Sequence, residues 1–374
     1  MENNRSIFSL YYSWWKNIDK FIFFLIILLF ATGLFFSLVS TSLIVSDKLN
    51  TNDYAFFFKH LSFVLLAIII IFVFSSVKEE KLLKISPLIF SLSLIFLFLV
   101  PLIGVEVNSA QRWIDLYFLP RFQPIEFVKP FLIILISLIL SSEKYKNVYF
   151  KYLLSFLITL IIALLLAAQP DIGQTLLVFF SWSVLIFISG VNVIFLIISC
   201  LILFIALYFL INFVPKFIYI KSRIFSFFNS DTGTHNAQSE KAIESITSGG
   251  YFGKGIGEGT LKNRVPEAHT DYIISVISEE FGIIAIILII LMFVIFIYAV
   301  FKKVYLENEE RTKLILVGCI SLILVQAMIH IGVNIRLFPT TGMTLPFISY
   351  GGSSIISISI LSGIILNLTK RKIN

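Results

Sequence analysis

The chain has 374 residues, of which 58% are hydrophobic and 14% charged, with a formal net charge of +7. A mean hydropathy of +0.97 excludes an ordinary soluble domain, in which about half the residues are apolar. The fold class implied is an all-α polytopic membrane protein, read as one domain over 1–374. The basic residues are dispersed between apolar segments, so the charge reads as membrane topology and no nucleic-acid partner is implied.

The first 20 residues, MENNRSIFSLYYSWWKNIDK, are too polar and aromatic for a cleaved signal peptide. Trp14 and Trp15 are placed to anchor the membrane interface. Ten spans are predicted near 21–41, 54–77, 82–104, 124–142, 149–168, 172–190, 191–214, 271–301, 312–335 and 346–369. With the N-terminus inside, the inner segments hold sixteen Lys and Arg, against five in the short outer loops. Both termini are therefore expected in the cytoplasm, with the long 215–270 loop outside. Cys200 and Cys319 both fall in apolar segments, which leaves no disulfide framework or zinc site.

The first outer stretch of interest is NSAQRWIDLYFLPRFQPIEFVKP, 108–130. Pro124 suits the first turn of a helix, and Glu126 and Lys129 then share one face just inside the membrane. Two readings stay open. The pair neutralises itself, as buried charges usually do, or Arg112, Glu126 and Lys129 wall a polar pocket. Further on, Gln169-Pro170-Asp171-Ile172-Gly173 is either a plain hairpin or the point where Asp171 joins Asp271 in a shared site. In 215–230, Phe217, Ile220, Ile224 and Phe228 recur at helical spacing beside Lys216, Lys221 and Arg223. That pattern predicts a helix lying in the headgroup plane and facing lipid. GGYFGKGIGEGT, 249–260, fits neither nucleotide-loop pattern and reads as flexible backbone.

The stretch 262–282, KNRVPEAHTDYIISVISEEFG, carries Glu267, His269, Asp271, Glu279 and Glu280 at the mouth of an apolar run. Asp271, Ser275, Ser278, Glu279 and Gly282 would form one polar stripe on a helix beginning at Asp271. A carboxylate there is a functional hypothesis, although Asp271 could also simply cap the helix. His269-Thr270-Asp271 is too short a constellation for a metal site. In 336–354, RLFPTTGMTLPFISYGGSS, the prolines and glycines predict a re-entrant turn. Its Ser349, Gly351, Gly352, Ser353 and Ser354 would offer backbone and hydroxyl donors to a cavity.

These groups suit a substrate with a phosphate and a lipid tail. Transfer of a sugar from a lipid diphosphate needs one base for the acceptor hydroxyl and cations to stabilise the leaving group. The sequence dictates no cofactor, and a divalent cation (Mg or Mn) at the diphosphate is compatible with this chemistry. Rival classes are a lipid-linked precursor flippase, which needs a polar path to both faces, and a non-catalytic scaffold, which leaves the carboxylates unused.

AQRWI (110–114), QPIEFVK (123–129), QPDIGQT (169–175), the 238–260 segment, VPEAHTDYIISVISEEFG (265–282) and PTTGMTLPFISYGGSS (339–354), with Trp14-Trp15 and Asp19, carry a resemblance over almost the whole chain. The chain resembles the SEDS family of peptidoglycan glycosyltransferases, and GMTLPFISYGG is closer to its cell-division members than to its elongation members. The resemblance implies a ten-span fold that polymerises lipid II outside the cytoplasmic (inner) membrane, at the division septum. It implies a class B penicillin-binding transpeptidase and other division proteins as partners. It marks Asp271 as the base. Arg112, Glu126, Lys129, Asp171, His269, Ser349, Gly351, Gly352 and Ser353 are the expected substrate-binding residues. Ile125 and Thr341 depart from the family pattern, where Ser and Lys are usual.

Overall fold

The computed structural model describes residues 7–41, 54–107, 110–116, 120–228, 234–261, 268 and 270–370. Glu267 and His269 lie outside the described residues. The helices in chain order are α1 (Ile7–Asn17), α2 (Lys20–Thr41), α3 (Ala55–Ser76), α4 (Glu79–Ile103), α5 (Pro124–Leu140), α6 (Val148–Ala168), α7 (Ile172–Ile188) and α8 (Val193–Phe213). After a 3₁₀ turn at Pro215–Phe217 come α9 (Ile218–Phe228), α10 (Thr234–Gly249), α11 (Ile273–Leu306), α12 (Glu310–Asn334) and α13 (Gly352–Leu368). A two-stranded antiparallel hairpin, β1 (Val105–Val107) with β2 (Ala110–Trp113), separates α4 from α5. The protein is an all-helical, multi-pass membrane protein. Seven of the described helices, α2, α3, α4, α6, α8, α11 and α12, are long and apolar enough to cross a bilayer by length and composition.

Burial sorts the helices. Along α12, Leu314, Ile315, Leu316, Ile320 and Ile323 are all at most 3% exposed, so this helix is the central post. By contrast α8 shows Ile194, Ile197, Leu201 and Phe204 on its surface, as a helix facing lipid does. The helix pair α3 and α13 packs along its length. Away from the active site, Trp14 Nε1 donates to Ser75 Oγ at 2.8 Å, and this tryptophan is buried against α3. Nearby, Asp19 meets Lys303 at 2.6 Å, tying the start of α2 to the end of α11.

The helices α5, α7 and α13 have 17 residues each. At 1.5 Å per residue they span about 25 Å, less than the roughly 30 Å of a hydrocarbon core. Each is completed by irregular chain at the same end: Gln123 before α5, Asp171 before α7, and 338–351 before α13. Backbone of that kind is tolerated at membrane depth when protein encloses it. Phe347 encloses the last segment, packed edge-on to Phe30 and Phe296 at 5.1 and 5.9 Å, while Gly33 lets its carbonyl approach α2. The final helix thus begins at Gly352, not at residue 346 as the apolar pattern suggested.

Three other expectations change. First, α11 starts at Ile273 with Tyr272 as its N-cap, so Asp271 precedes the helix and does not cap it. Its polar stripe is also interrupted, because Gly282 (φ 76°, ψ −178°) breaks the helix. Secondly, the glycine-rich 249–260 segment is docked and not loose. Gly250 O and Tyr251 O accept from Ile283 N and Ile284 N, and Lys254 N and Gly255 N donate to Glu279 O and Glu280 O. A Cβ on Gly253 or Gly282 would come within 2.1–2.2 Å of backbone, so only glycine permits this splice. Glu279 adds a fastening, accepting from Lys254 Nζ, Thr260 N and Leu261 N at 2.9–3.0 Å. Thirdly, the face predicted to meet lipid is split: Phe217, in the 3₁₀ turn, and Ile220, in α9, pack into protein beside Ala167 with Ile224 partly buried against them, while Phe228 stays exposed. Ile218, Phe225 and Phe228 are the exposed apolar side chains of this region.

Candidate active site

Four helix N-termini meet at one end of the bundle. Gln123 joins three of them. Its backbone N–H donates to Ser353 Oγ at 3.1 Å, and its side-chain amide donates to Asp171 Oδ2 at 3.1 Å. Asp171 caps α7, accepting from Gln174 N at 3.3 Å. Just before α13, Ser349 Oγ donates to Thr270 O at 2.8 Å, which brings in the approach to α11. Each helix N-terminus carries roughly half a positive charge in unpaired N–H groups, so their convergence favours an anion.

Arg112 reaches this ring from the β-hairpin. Its Nε lies 3.6 Å from Asp171 Oδ2, and the guanidinium also donates to Gln169 O and Pro170 O. The arginine therefore shapes the turn before α7 as well as balancing its carboxylate. One turn deeper, Glu126 and Lys129 form a 2.8 Å ion pair with side chains 3% and 2% exposed. Gln174 Nε2 donates to Glu126 Oε1 at 2.9 Å, and Lys129 Nζ donates to Gln326 Oε1 at 3.4 Å. Of the two readings of this pair, the geometry matches mutual neutralisation, with glutamines from α7 and α12 each adding one hydrogen bond to it. Gln326 Nε2 in turn lies 3.0–3.3 Å from Thr344 O, Thr344 Oγ1 and Ser354 Oγ. The charge layer and the re-entrant segment are one network.

The segment 339–344 links Asp171 to Asp271. Gly173 packs so closely on Thr341 and Met343 that a Cβ there would be 3.0–3.1 Å from them, and a Cβ on Gly342 would stand 3.6 Å from Asp271 Oδ2. Asp271 is half-buried. From the other side, Arg223 Nη1 donates to Thr340 O at 3.2 Å. This arginine, read from sequence as a headgroup contact, helps to hold the loop beside Asp271. Next to it lies an apolar groove of about 780 Å³, lined by Ile172, Leu176, Phe204, Tyr208, Ile224 and Pro339 among others.

The re-entrant serines differ from expectation. Ser349 and Ser353 are 2% and 4% exposed, with hydroxyls engaged inside the protein. Gly351 and Gly352 make room for Thr344 and Phe63, whose atoms would lie 2.8 and 2.5 Å from an added Cβ. These four residues seat the loop. Sequence reasoning did not single out Gln123, Gln174, Gln326 or Asn334; neutral amides within apolar spans were the signal available. Among the described residues no three His, Cys, Asp or Glu side chains gather as metal ligands.

Relatives share this chain's extent. It is 30% identical over 365 residues to the "Probable peptidoglycan glycosyltransferase FtsW" of Caulobacter vibrioides, covering 96% of this chain and 91% of that protein. It is 32% identical over 371 residues to the protein of the same name from Wigglesworthia glossinidia brevipalpis, covering 96% and 93%. Among solved structures, it is similar to a chain in work on the "structural coordination of polymerization and crosslinking by a peptidoglycan synthase complex" (TM-score 0.77, 24% identity, 94% and 97% covered). It is similar also to the rod shape determining protein RodA of Thermus thermophilus (TM-score 0.69, 24% identity, 94% and 96% covered). At that identity the structures establish the fold. A family model described as "Cell cycle protein", that of FtsW, RodA and SpoVE, matches residues 19–374. The chain belongs to this family.

Proposed function

We propose that this protein is a peptidoglycan glycosyltransferase of cell division, polymerising lipid II into glycan strands on the outer face of the cytoplasmic membrane. The observation that carries the reading is the meeting of four helix N-termini near a half-buried carboxylate, Asp271, with an apolar groove at Pro339 alongside. The N-termini suit a diphosphate, the groove suits a polyprenyl chain, and Pro339 to Gly342 run from one to the carboxylate. In this reading Asp271 takes the proton from the acceptor hydroxyl as the glycosyl centre loses its diphosphate. Arg112 with Asp171 borders the anion site, and Glu126 with Lys129 holds the wall behind it. His269, Ser349, Gly351, Gly352 and Ser353 belong to the loops around the substrate. The site end faces outward and both termini face the cytoplasm, at the septum, where a class B penicillin-binding transpeptidase cross-links the product.

The test is incubation of the purified full chain, with its transpeptidase partner, and labelled lipid II. Ladders of glycan on a gel are the expected result. Lipid movement across liposomes with no ladder would overturn the enzyme reading in favour of a flippase.

A further inference from the structure

We infer that Asn334, the last residue of α12, is a positioning residue that sets Asp271 for catalysis by capping α11 from across the helix pair. A helix start leaves several N–H groups without an intrahelical partner, and the N-cap residue of α11, Tyr272, supplies no side-chain acceptor. Asn334 supplies it instead. Its Oδ1 accepts from Ser275 N at 3.2 Å, an N–H shared with Tyr272 O at 3.0 Å, and from Ser275 Oγ at 2.8 Å. Ser275 is the third residue of the helix, the position a side-chain cap ordinarily serves. Its Nδ2 donates to Asp271 O at 3.0 Å and His330 O at 2.9 Å. Two donors and two acceptors are the whole capacity of a carboxamide, and Asn334 uses all of them while 0% exposed.

The consequence falls on Asp271. Its carbonyl is held by Asn334 and that of Thr270 by Ser349, so two successive peptide groups are gripped from α12 and from the re-entrant segment. The backbone that aims the Asp271 carboxylate is thereby fixed by a side chain that touches no substrate. Positioning of this kind is read in turnover and not in binding. A shift on the order of 1 Å in a reacting group costs about 10²-fold.

The inference rests on Asp271 being the base, and the experiment separates the two. The full-length protein with its transpeptidase partner is assayed on labelled lipid II, as wild type, Asn334→Val, Asn334→Asp, Asp271→Asn and Asn334→Val with Asp271→Asn. Asn334→Val removes all four bonds at nearly constant volume. It is expected to lower kcat by about 10²-fold and leave KM unchanged. In the Asp271→Asn background the same change should do nothing further, because no base remains to be misplaced. Asn334→Asp keeps both bonds from Ser275 but, when ionised, loses the donors to both Asp271 O and His330 O. Folding of each variant is read separately as thermal unfolding in detergent, and folded Asn334→Asp should still lose turnover. Wild-type kcat in folded Asn334→Asp, with Asp271→Asn inactive, overturns the inference and leaves the base in place. An equal fold-loss in both backgrounds overturns it as well, since the amide would then serve the fold alone. Near-normal turnover by Asp271→Asn overturns the reading of the base and the inference with it.

Discussion

Glu126 and Asp271 both stand near the start of a membrane helix, yet the fold treats them in opposite ways. Glu126 is sealed with Lys129 at 2.8 Å and roofed by Gln174. Asp271 is half-buried, with its peptide group clamped and its carboxylate facing the Gly342 loop at the edge of a groove. A buried, paired carboxylate contributes rigidity, because moving its proton means breaking the pair. A half-buried carboxylate beside converging helix N-termini is placed where a substrate can come to it. Under the proposed reading, access and not proximity to a helix start is what marks the catalytic carboxylate.

The sharpest way to break this contrast is Asp271→Asn. Since Asn334 and not Asp271 caps α11, the change should leave insertion and folding intact. Glycan synthesis should fall by the 10²–10⁴-fold typical of a lost general base, roughly. Near-normal polymerisation by the purified variant would put Asp271 in the same structural class as Glu126.

Next in size is the sealed pair. Lys129→Met leaves a buried carboxylate alone and should lower stability by about 3–5 kcal/mol, read as thermal unfolding in detergent. Adding Glu126→Gln should restore most of it. If Lys129→Met instead keeps native stability but loses polymerisation, with no recovery in the double variant, Lys129 serves substrate and the contrast fails.

A smaller effect is expected at the break in α11. Gly282→Ala requires a positive φ from alanine and puts a methyl within 2.2 Å of Tyr251 O. It should cost about 1–3 kcal/mol and free the 249–255 segment, seen as faster amide hydrogen exchange there. Unchanged exchange would mean the loop is held without the break.

The mildest test is pH. Burial raises the carboxyl pKa of Asp19, but the hydrogen bond from Lys303, those from Ile22 N and Phe21 N, and the Lys303 charge outweigh it. The net shift is to below the ordinary 3.8. A depressed folded-state value means that the stabilisation is present at neutral pH and is lost as pH falls through that value, below 3.8. Lys303→Met should therefore flatten the acid limb of the stability curve and leave turnover at neutral pH unaltered.

Much of this was readable from the chain. Long apolar runs marked α2, α3 and α8, and Pro124 announced the start of α5, because proline at a first turn is local chemistry; Asp171, read as a hairpin residue or a site carboxylate, proves to cap α7. What escaped depends on partners distant in sequence. Asp271 looks like a cap until Asn334, 63 residues on, is seen to do that work. The unbroken hydropathy after Phe281 conceals a broken helix, since Gly282 has no polar signature. α10 hides in a polar loop, although its small residues Ser239, Ala242, Ser245 and Gly249 are spaced for close packing. Of these, Gly249 approaches Ser278 O so nearly that an added Cβ would lie 1.9 Å from it.

The splice between Gly250, Tyr251 and the amides of Ile283 and Ile284 bears on how the protein is made. Synthesis runs from the N-terminus, so the segment that completes α11 leaves the ribosome about 30 residues ahead of the break it serves. A helix with open peptide groups at Gly282 would be costly to leave in hydrocarbon. Its complement is already synthesised when the later half of α11 follows. The order of the chain thus makes the loop available before α11 is complete. A circular permutation that delivers the loop last would leave α11 without that complement as it is completed.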